Sequence, residues 1–258
     1  MRAIFSEENG LIIPTSDAAG PWDPGMQHGS APSSLIARAA ERYIDDEDFL
    51  VSRLTIDLMR PVPIAPMDLR ITPVREGRQI KVLDIRIVQG GKETVWASVL
   101  AVRKQKVETP ALSQPPALAL PYADDIPEET DVFSGTSPFV AGLSVRQAKG
   151  AFREPGPAAV WYRIDRAMVE GEEISPLMRA VASGDFCNGQ SSALDFTKWT
   201  FVNADLTIDL IRYPQGEWVL LDAESWLDGE GGCLAMGKLA DKSGYFGTAR
   251  QHLVVRPR

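Results

Sequence analysis

The chain has 258 residues, which allows one large domain or two domains of about 100 to 150 residues. Hydrophobic residues make up 44% and charged residues 24%, so the composition predicts a soluble globular protein with a substantial core and excludes general disorder. The formal net charge of -8 argues against a nucleic-acid partner, because binding along phosphate backbones requires a basic face.

Cysteine and histidine are scarce, which limits the available chemistry. Cys187 and Cys233 are too few for a disulfide framework and are typical of free thiols in a reducing compartment. His28 and His252 are the only histidines, so a multi-histidine zinc site is excluded and no metal is predicted. The N-terminal region lacks a signal-peptide pattern, and no apolar run approaches the length of a membrane span. We therefore expect a cytoplasmic protein without membrane insertion.

The first half of the chain is predicted to form a hairpin, a helix and four strands. Asn9-Gly10, between two short apolar patches, predicts the hairpin turn. From Ala31 onward apolar residues recur at helical spacing, with Ser30 as the candidate N-cap and Pro32 in the first turn. The strands are predicted at about 51–60, 67–75, 79–88 and 93–103.

A segment rich in proline and acidic clusters, 105–138, divides the chain. Its composition is typical of a linker, which can still lie ordered along a surface. We therefore predict an N-terminal unit at 1–104 and a C-terminal unit at 139–258. The second unit repeats the order of elements: strands at 143–152 and 159–164, a helix opened by Ser175-Pro176, and strands at 199–211, 217–226, 232–240 and 245–256.

One heptapeptide occurs twice, as Leu-Thr-Ile-Asp-Leu-Met-Arg at 54–60 and Leu-Thr-Ile-Asp-Leu-Ile-Arg at 206–212. The copies match at six of seven positions and lie 152 residues apart, while the helices are offset by 141 residues and the last strands by 153. This near-constant spacing indicates an internal duplication. The 11 extra residues of the second copy fall between its helix and its next strand, at 188–199, and a long loop of this kind often borders an active site.

Asp185 continues the apolar stripe of the second helix. It follows Leu177 and Val181 at four-residue steps, so helical periodicity places a carboxylate where the core is expected. Burying an ionised carboxylate requires hydrogen-bonding partners, and such groups often mark functional sites. The alternative is a helix that ends one residue earlier and leaves Asp185 in water near Gly184 and Gly189.

Polar residues on the following strands are weaker candidates. Thr207 lies on the second face of its strand, opposite to the face of Leu206, where threonine is common for its β-propensity alone. Gln251 lies on the last strand, where its amide could hold a water molecule or simply face solvent. Asn203 and Asp205 are predicted to brace the neighbouring loop.

His28-Gly29 precedes the first helix. Free N–H groups and the positive end of the dipole at a helix N-terminus can polarise a carbonyl oxygen, and glycine allows that oxygen to approach. The alternative is a glycine turn with His28 packed against Trp22.

The repeated order of hairpin, central helix and antiparallel strands resembles the double hotdog fold of the acyl-CoA thioesterase II type. This is an α+β architecture of two tandem units, each with a central helix wrapped by an antiparallel sheet. The motifs that carry the resemblance are Gly-Pro-Trp-Asp-Pro at 20–24, His28-Gly29, Arg-Pro-Val-Pro at 60–63, Arg-Glu-Gly-Arg at 75–78, Ser-Gly-Asp-Phe at 183–186, Asn-Ala-Asp-Leu-Thr at 203–207, Arg-Tyr-Pro at 212–214 and Gly-Glu-Trp at 216–218.

The resemblance implies a water-orienting set of an aspartate, a Ser or Thr and a glutamine, which maps to Asp185, Thr207 and Gln251. His28 and Gly29 would then bind the substrate, with helix N-terminal amides stabilising the oxyanion. The first copy carries Ile44, Thr55 and Ser98 at the matching places, so one competent site per chain is expected.

The implied reaction is hydrolysis of an acyl-CoA thioester, with Asp185 as the general base or as a nucleophile that forms an anhydride. No cofactor is implied, since coenzyme A is part of the substrate, and a homodimer is expected. Two alternatives remain open. One is a non-catalytic acyl-CoA or acyl-group binding protein, and the other is a hotdog hydratase or dehydratase, which uses a histidine with an acid, although His28 is not set in the usual dehydratase pattern.

Overall fold

The computed structural model describes residues 2–110, 114–127, 137–150 and 154–258. The elements of the first half are β1 (Phe5–Glu8), β2 (Leu11–Pro14), α1 (Ser30–Ile44), β3 (Phe49–Asp57), β4 (Asp68–Glu76), β5 (Ile80–Gln89) and β6 (Lys92–Arg103). Those of the second half are β7 (Leu143–Lys149), β8 (Ala158–Ile164), α2 (Pro176–Gly184), α3 (Cys187–Gln190), β9 (Trp199–Asn203), β10 (Asp205–Leu210), β11 (Val219–Leu227), β12 (Gly232–Asp241) and β13 (Gly244–Pro257).

Both halves share one antiparallel sheet of eleven strands. Its order is β4-β5-β6-β3-β10-β13-β12-β11-β8-β7, and β9 pairs with the far end of β13. The hairpin of β1 and β2 forms a separate small sheet. Apolar side chains on the inner face of the large sheet surround α1 and α2. Most residues of both helices are buried. The predicted architecture of two tandem units, each with a central helix and antiparallel strands, is confirmed.

The two copies of the repeated heptapeptide lie side by side at the centre of the sheet. β3 pairs with β10 in antiparallel register, so Leu54 faces Ile208 and Ile56 faces Leu206 across the join. Thr55 faces its own counterpart, Thr207. The duplicated strand therefore joins the two halves, and its repetition reflects that shared structural position.

The helices pack antiparallel, so each helix start meets the other helix's end. The Ser30 hydroxyl lies 3.0 Å from the Ala182 carbonyl oxygen near one end. Near the other end the Ser175 hydroxyl donates to Glu41 at 2.6 Å. Ser175 also caps α2 by accepting the Met178 N–H, as predicted. The prediction that Ser30 caps α1 is wrong: Gly29 occupies the N-cap position and Ser30 is the first helical residue.

The described part of the predicted linker lies along the outer face of the second half. The Trp161 indole donates to the Pro121 carbonyl at 2.9 Å, and Ala123 packs with Trp161 and Leu220 in a small apolar cluster separate from the main core. The domain boundaries at 104/105 and 138/139 stay predictions. Residues 111–113, 128–136 and 151–153, which include parts of the linker and of a predicted strand, lie outside the described residues.

The predicted strand at 199–211 is interrupted at Ala204. Asn203 pairs with Leu253 and Thr207 pairs with Arg250. Three residues therefore lie between Asn203 and Thr207, whereas only two lie between Arg250 and Leu253 on β13. This extra residue is a β-bulge, which changes which side chains point inward. β3 carries the matching irregularity at Ser52, 152 residues earlier. None of the described helices is long and apolar enough to cross a membrane.

Candidate active site

Asp185 is buried at the end of α2. Helical periodicity carries the stripe of Leu177 and Val181 to this position, and the residue is 4% exposed. Its N–H still points back to the Val181 carbonyl, so Asp185 closes the helix with αR geometry. The alternative of a solvated Asp185 beyond a frayed helix end is therefore wrong.

Four side chains surround the Asp185 carboxylate. The amides of Asn203 and Gln251 both donate to Oδ1 at 2.9 Å. The Ser30 hydroxyl lies 3.0 Å from Oδ2, and Nδ1 of His28 lies 3.3 Å from the same oxygen. Within the described part of the chain no lysine or arginine pairs with this carboxylate. The burial of the charge is thus compensated by hydrogen bonds from side chains of ordinarily neutral residues.

Gly29 lies directly against the carboxylate. A Cβ atom built on Gly29 would stand 2.8 Å from Oδ2 and 2.9 Å from Oδ1 of Asp185, closer than such atoms approach each other. The backbone of Gly29 is in the ordinary αR region, so the close approach, and not its conformation, requires glycine. Among the described residues its N–H has no hydrogen-bond partner, which leaves a free donor at the positive end of α1.

His28 is held between two aromatic rings. Its imidazole stacks on Phe139 with centroids 4.7 Å apart and is tilted against Phe186 at 5.0 Å, so the packing partner is not the Trp22 that the sequence suggested. Nδ1 accepts the Ser30 N–H at 3.2 Å. The same nitrogen needs a proton to bond to Asp185, so the two contacts require different protonation states and cannot both be hydrogen bonds at once.

Gln251 connects the site to the loop beyond α2. It is fully buried on the inner face of β13, and its amide nitrogen also donates to the Asp185 backbone carbonyl at 2.9 Å. Its amide oxygen accepts the Asn188 N–H at 3.1 Å, and the Asn188 side chain bonds to the Phe201 carbonyl. Gln251 therefore fixes both the carboxylate and the start of the longer connection in the second half.

Thr207 is not brought to the site. Leu206 and Ile208 point inward, and Ile208 lies against Gly184 at the end of α2, so the alternation of β10 turns Thr207 to the outer face. Its partner on β13 is the exposed Arg250, whereas Gln251 is buried on the inner face. The expectation that Thr207 stands beside Asp185 and Gln251 is therefore corrected.

Asn203 occupies the place expected for Thr207, and sequence analysis missed it. Regular strand alternation from the inward-facing Leu206 predicts that Asn203 points to the outer face. The bulge at Ala204 shifts this alternation by one residue, so the Asn203 side chain points inward to Asp185. The apolar pattern does not reveal the bulge, because Val202 lies four residues before Leu206, as an unbroken strand requires, yet Val202 is exposed and Phe201 is buried. Asp205 accepts the His252 N–H at 2.6 Å, so its side chain holds strand β13 and not the loop predicted for it.

The counterpart of Gln251 in the first half also needs correction. Ser98 faces Thr55 across the sheet just as Arg250 faces Thr207, so Ser98 corresponds to Arg250. Gln251 corresponds to the next residue, Val99, which is fully buried. The offset of 153 between the last strands was one residue too large here, and a shift of one residue exchanges the two faces of a strand.

The neighbouring thiol of Cys187 takes no part in this hydrogen bonding. Burial raises the pKa of Cys187 far above its ordinary value, with the Asp185 charge acting in the same direction. Cys233 is buried too, and burial raises its pKa. Both thiols are therefore protonated and unreactive at neutral pH.

Two models of known protein domains match the chain, one in each half. The acyl-CoA thioesterase N-terminal domain matches residues 18–103, and the acyl-CoA thioesterase C-terminal domain matches residues 114–255. No curated protein sequence matches the chain.

Solved structures share the fold at low sequence identity. A hot dog fold protein of unknown function from Alicyclobacillus acidocaldarius has a TM-score of 0.75 at 14% identity, over 98% of this chain and 95% of its own. The acyl-CoA thioesterase II TesB2 from Mycobacterium marinum has a TM-score of 0.70 at 16% identity, over 97% and 94%. The dehydratase domain of the polyketide PpsC from Mycobacterium tuberculosis has a TM-score of 0.53 at 14% identity, over 99% and 98%. These likenesses establish the double hotdog fold, and the two domain matches establish that the chain belongs to the acyl-CoA thioesterase family.

Proposed function

We propose that this thioester hydrolase cleaves acyl-CoA esters at Asp185, using the carboxylate to activate water. The observation that carries the proposal is the contact between a buried carboxylate, held by two amides, and a glycine at the start of α1. A thioester carbonyl placed over Gly29 would meet both a base and an oxyanion donor. Coenzyme A enters as part of the substrate, and the chemistry needs no other cofactor.

Asp185 and Gly29 divide the work between proton transfer and charge stabilisation. Asp185 takes a proton from water as the water oxygen bonds to the thioester carbon. The free Gly29 N–H and the dipole of α1 stabilise the negative charge that forms on the carbonyl oxygen. When the C–S bond breaks, the proton held by Asp185 passes to the sulfur of coenzyme A, which leaves a free carboxylic acid.

Asn203 and Gln251 determine which oxygen of Asp185 is available to act. Both amides donate to Oδ1, which leaves Oδ2, beside Ser30 and His28, as the oxygen that faces the reaction. A single turnover in ¹⁸O-labelled water detects an anhydride that water opens at the aspartyl carbon, because the label then enters Asp185. The base route places the label only in the released acid, whereas label in the peptide that contains Asp185 would show an anhydride and contradict it.

Hydrolysis itself is tested by a panel of short to long acyl-CoA esters with the wild-type protein and Asp185→Asn. We expect turnover by the wild type and a loss of about 10²-fold to 10⁴-fold in the variant, the range for removing a general base. Saturable binding without turnover of any ester would contradict the proposal and indicate a binding protein. Equal activity of the variant would contradict the assignment of Asp185.

A second candidate, a hydratase or dehydratase, is favoured by one observation: His28 lies 3.3 Å from Asp185, and such enzymes pair a histidine with an acid. The same panel tests it when 3-hydroxyacyl-CoA esters are included. Loss of water to give an enoyl-CoA without release of coenzyme A would support this candidate over hydrolysis. The expected homodimer and cytoplasmic location remain predictions.

A further inference from the structure

We propose that His28 positions the start of α1 against Asp185 as a neutral imidazole, and that a proton on its Nδ1 shifts His28 onto the carboxylate and stops the reaction. The proposal rests on the proposed function, because it assigns an acid-dependent control to that same site. It gives His28 a role other than the substrate binding that the resemblance implied.

The imidazole of His28 is held in one orientation. Phe139 stacks on it with centroids 4.7 Å apart, and Phe186 is tilted against it at 5.0 Å. Phe186 stacks in turn on Tyr162 at 4.7 Å, and the buried Tyr162 hydroxyl donates to Gln190 at 2.8 Å. Rotation of the imidazole about its Cβ–Cγ bond would drive its edge into the stacked Phe139 ring. Nδ1 therefore stays beside the start of α1 and beside the carboxylate.

The neutral imidazole orders the first residue of α1. Nδ1 accepts the Ser30 N–H at 3.2 Å, so it satisfies one of the donors that a helix start leaves without a partner. The Ser30 hydroxyl lies 3.0 Å from Oδ2 of Asp185, the oxygen assigned to the base. The neutral form of His28 therefore supports the active arrangement through Ser30, and Oδ2 remains able to take a proton from water.

A proton on Nδ1 reverses this arrangement. The protonated nitrogen cannot accept the Ser30 N–H, and two N–H groups then face each other. Nδ1 lies 3.3 Å from Oδ2 of Asp185, so it becomes the donor of a charge-assisted hydrogen bond to that oxygen. The Asn203 and Gln251 amides already donate to Oδ1. Both carboxylate oxygens are then engaged, and Asp185 no longer acts as the base.

Asp185 is the one carboxylate within ion-pairing distance of His28 in the described part of the chain. The turn that accepts the His28 N–H, at Ala18, also carries Asp17. The Asp17 carboxylate lies 3.4 Å from the Arg166 guanidinium, which pairs with it. The charge of a protonated His28 is therefore balanced by Asp185, and the titration of His28 is coupled to the reacting group.

The kinetic test follows kcat/KM for one acyl-CoA ester across the range in which histidines titrate, about pH 5 to 8, in the wild type and in His28→Asn. Asparagine places an amide oxygen where Nδ1 stands, so it keeps an acceptor for the Ser30 N–H but takes up no proton. We expect the wild-type kcat/KM to fall about tenfold per pH unit on the acid side. In His28→Asn the fall should begin about one to two pH units lower, where carboxylates titrate.

His252→Gln is the matched control. His252 also stands beside a carboxylate, with Nδ1 3.0 Å from Asp205, but its side chain is 70% exposed on the outer face of the sheet. An unshifted acid limb in His28→Asn, or an equal shift in His252→Gln, would overturn the proposal. Loss of activity at every pH in a folded His28→Asn protein would also overturn it, because it would show a reacting histidine, as the hydratase candidate requires.

A second measurement needs neither turnover nor a substitution at His28. The chain has two histidines, so in untagged His252→Gln protein the ¹⁵N resonances of imidazole report on His28 alone. We expect the Nε2–H tautomer at high pH, and a titration over the interval in which kcat/KM falls, with the Ser30 amide resonance shifting alongside. An Nδ1–H tautomer at high pH, or a titration that leaves the Ser30 amide unchanged, would overturn the proposal. If no ester is hydrolysed, the proposed function fails, whereas this titration still decides whether His28 holds Ser30.

Discussion

The two ends of the antiparallel helix pair carry the same motif but differ in chemistry. At each end a serine at the start of one helix donates to a carboxylate from the other: Ser30 to Asp185 at 3.0 Å, and Ser175 to Glu41 at 2.6 Å. Antiparallel packing explains the likeness, because it places the start of each helix beside the end of the other; the two carboxylates are not at equivalent positions, since the helix offset of 141 residues matches Asp185 to Ile44. A serine and a carboxylate between the helices therefore do not by themselves make an active site.

The difference lies in the strands. At the Asp185 end, Asn203 and Gln251 donate amides from β9 and β13. The corresponding residues of the first half are the buried aliphatic side chains Val51 and Val99. Glu41 therefore has the Ser175 hydroxyl beside it but no amide from the strands. Burial raises the pKa of Glu41, and the Ser175 hydrogen bond partly offsets this rise. Two strand residues, Asn203 and Gln251, therefore distinguish the surroundings of Asp185 from those of Glu41.

The largest effect after that of Asp185 itself is expected from Gly29→Ala. The added methyl group would displace the carboxylate, and misplacement by about 1 Å can cost roughly 10²-fold in rate. Alanine suits the αR conformation at this position, so thermal unfolding should remain cooperative. Steady-state kinetics beside a melting curve make the test. Full activity in a folded Gly29→Ala protein would show that the Gly29 contact is not part of the site.

A smaller effect is expected from Asn203→Ala, which removes one of the two amides on Oδ1. Hydrogen bonds to charged groups contribute about 1.5 to 3 kcal/mol, so kcat/KM should fall by about tenfold to a hundredfold. Thr207→Val is the matched control on the outer face of the next strand and should change kcat/KM by less than about twofold. If Thr207→Val lowered kcat/KM more than Asn203→Ala, Thr207 and not Asn203 would be the residue that acts with Asp185.

The smallest effect concerns the other end of the helix pair and appears in stability. The pKa of Glu41 is raised in the folded state, so folding favours the protonated form and stability falls as pH rises through the interval from the unfolded to the folded pKa. Glu41→Gln removes that loss. We expect it to stabilise the protein at pH 7.5 by on the order of 0.5 to 1 kcal/mol, comparable to one neutral hydrogen bond. Chemical denaturation at pH 7.5 and pH 4 measures this, and a benefit that is larger at pH 4 would contradict the assignment.

Sequence periodicity predicted the parts of the site that depend on one unbroken element. Asp185 followed from the four-residue steps of a helix, and the duplication of the units followed from the repeated heptapeptide, whereas the pairing of the two copies was not predicted. Thr207 and Ser98 were misassigned because strand alternation was extended through a bulge or counted from an offset one residue too large. Ser30 was taken for a cap because its hydroxyl's partner lies 155 residues away in the chain. Contacts between distant elements were therefore the part that local patterns could not supply.

The most direct test compares the two carboxylates in one experiment. Asp185→Asn replaces a buried carboxylate and Glu41→Gln a half-buried one, and each of these carboxylates accepts a serine hydroxyl between the helices. The value of kcat/KM for the best acyl-CoA ester is measured for both variants beside the wild type. We predict that Asp185→Asn loses about 10²-fold to 10⁴-fold, whereas Glu41→Gln stays within about twofold of the wild type. Equal losses in both variants, or an active Asp185→Asn, would contradict the proposal that only the Asp185 end performs the reaction.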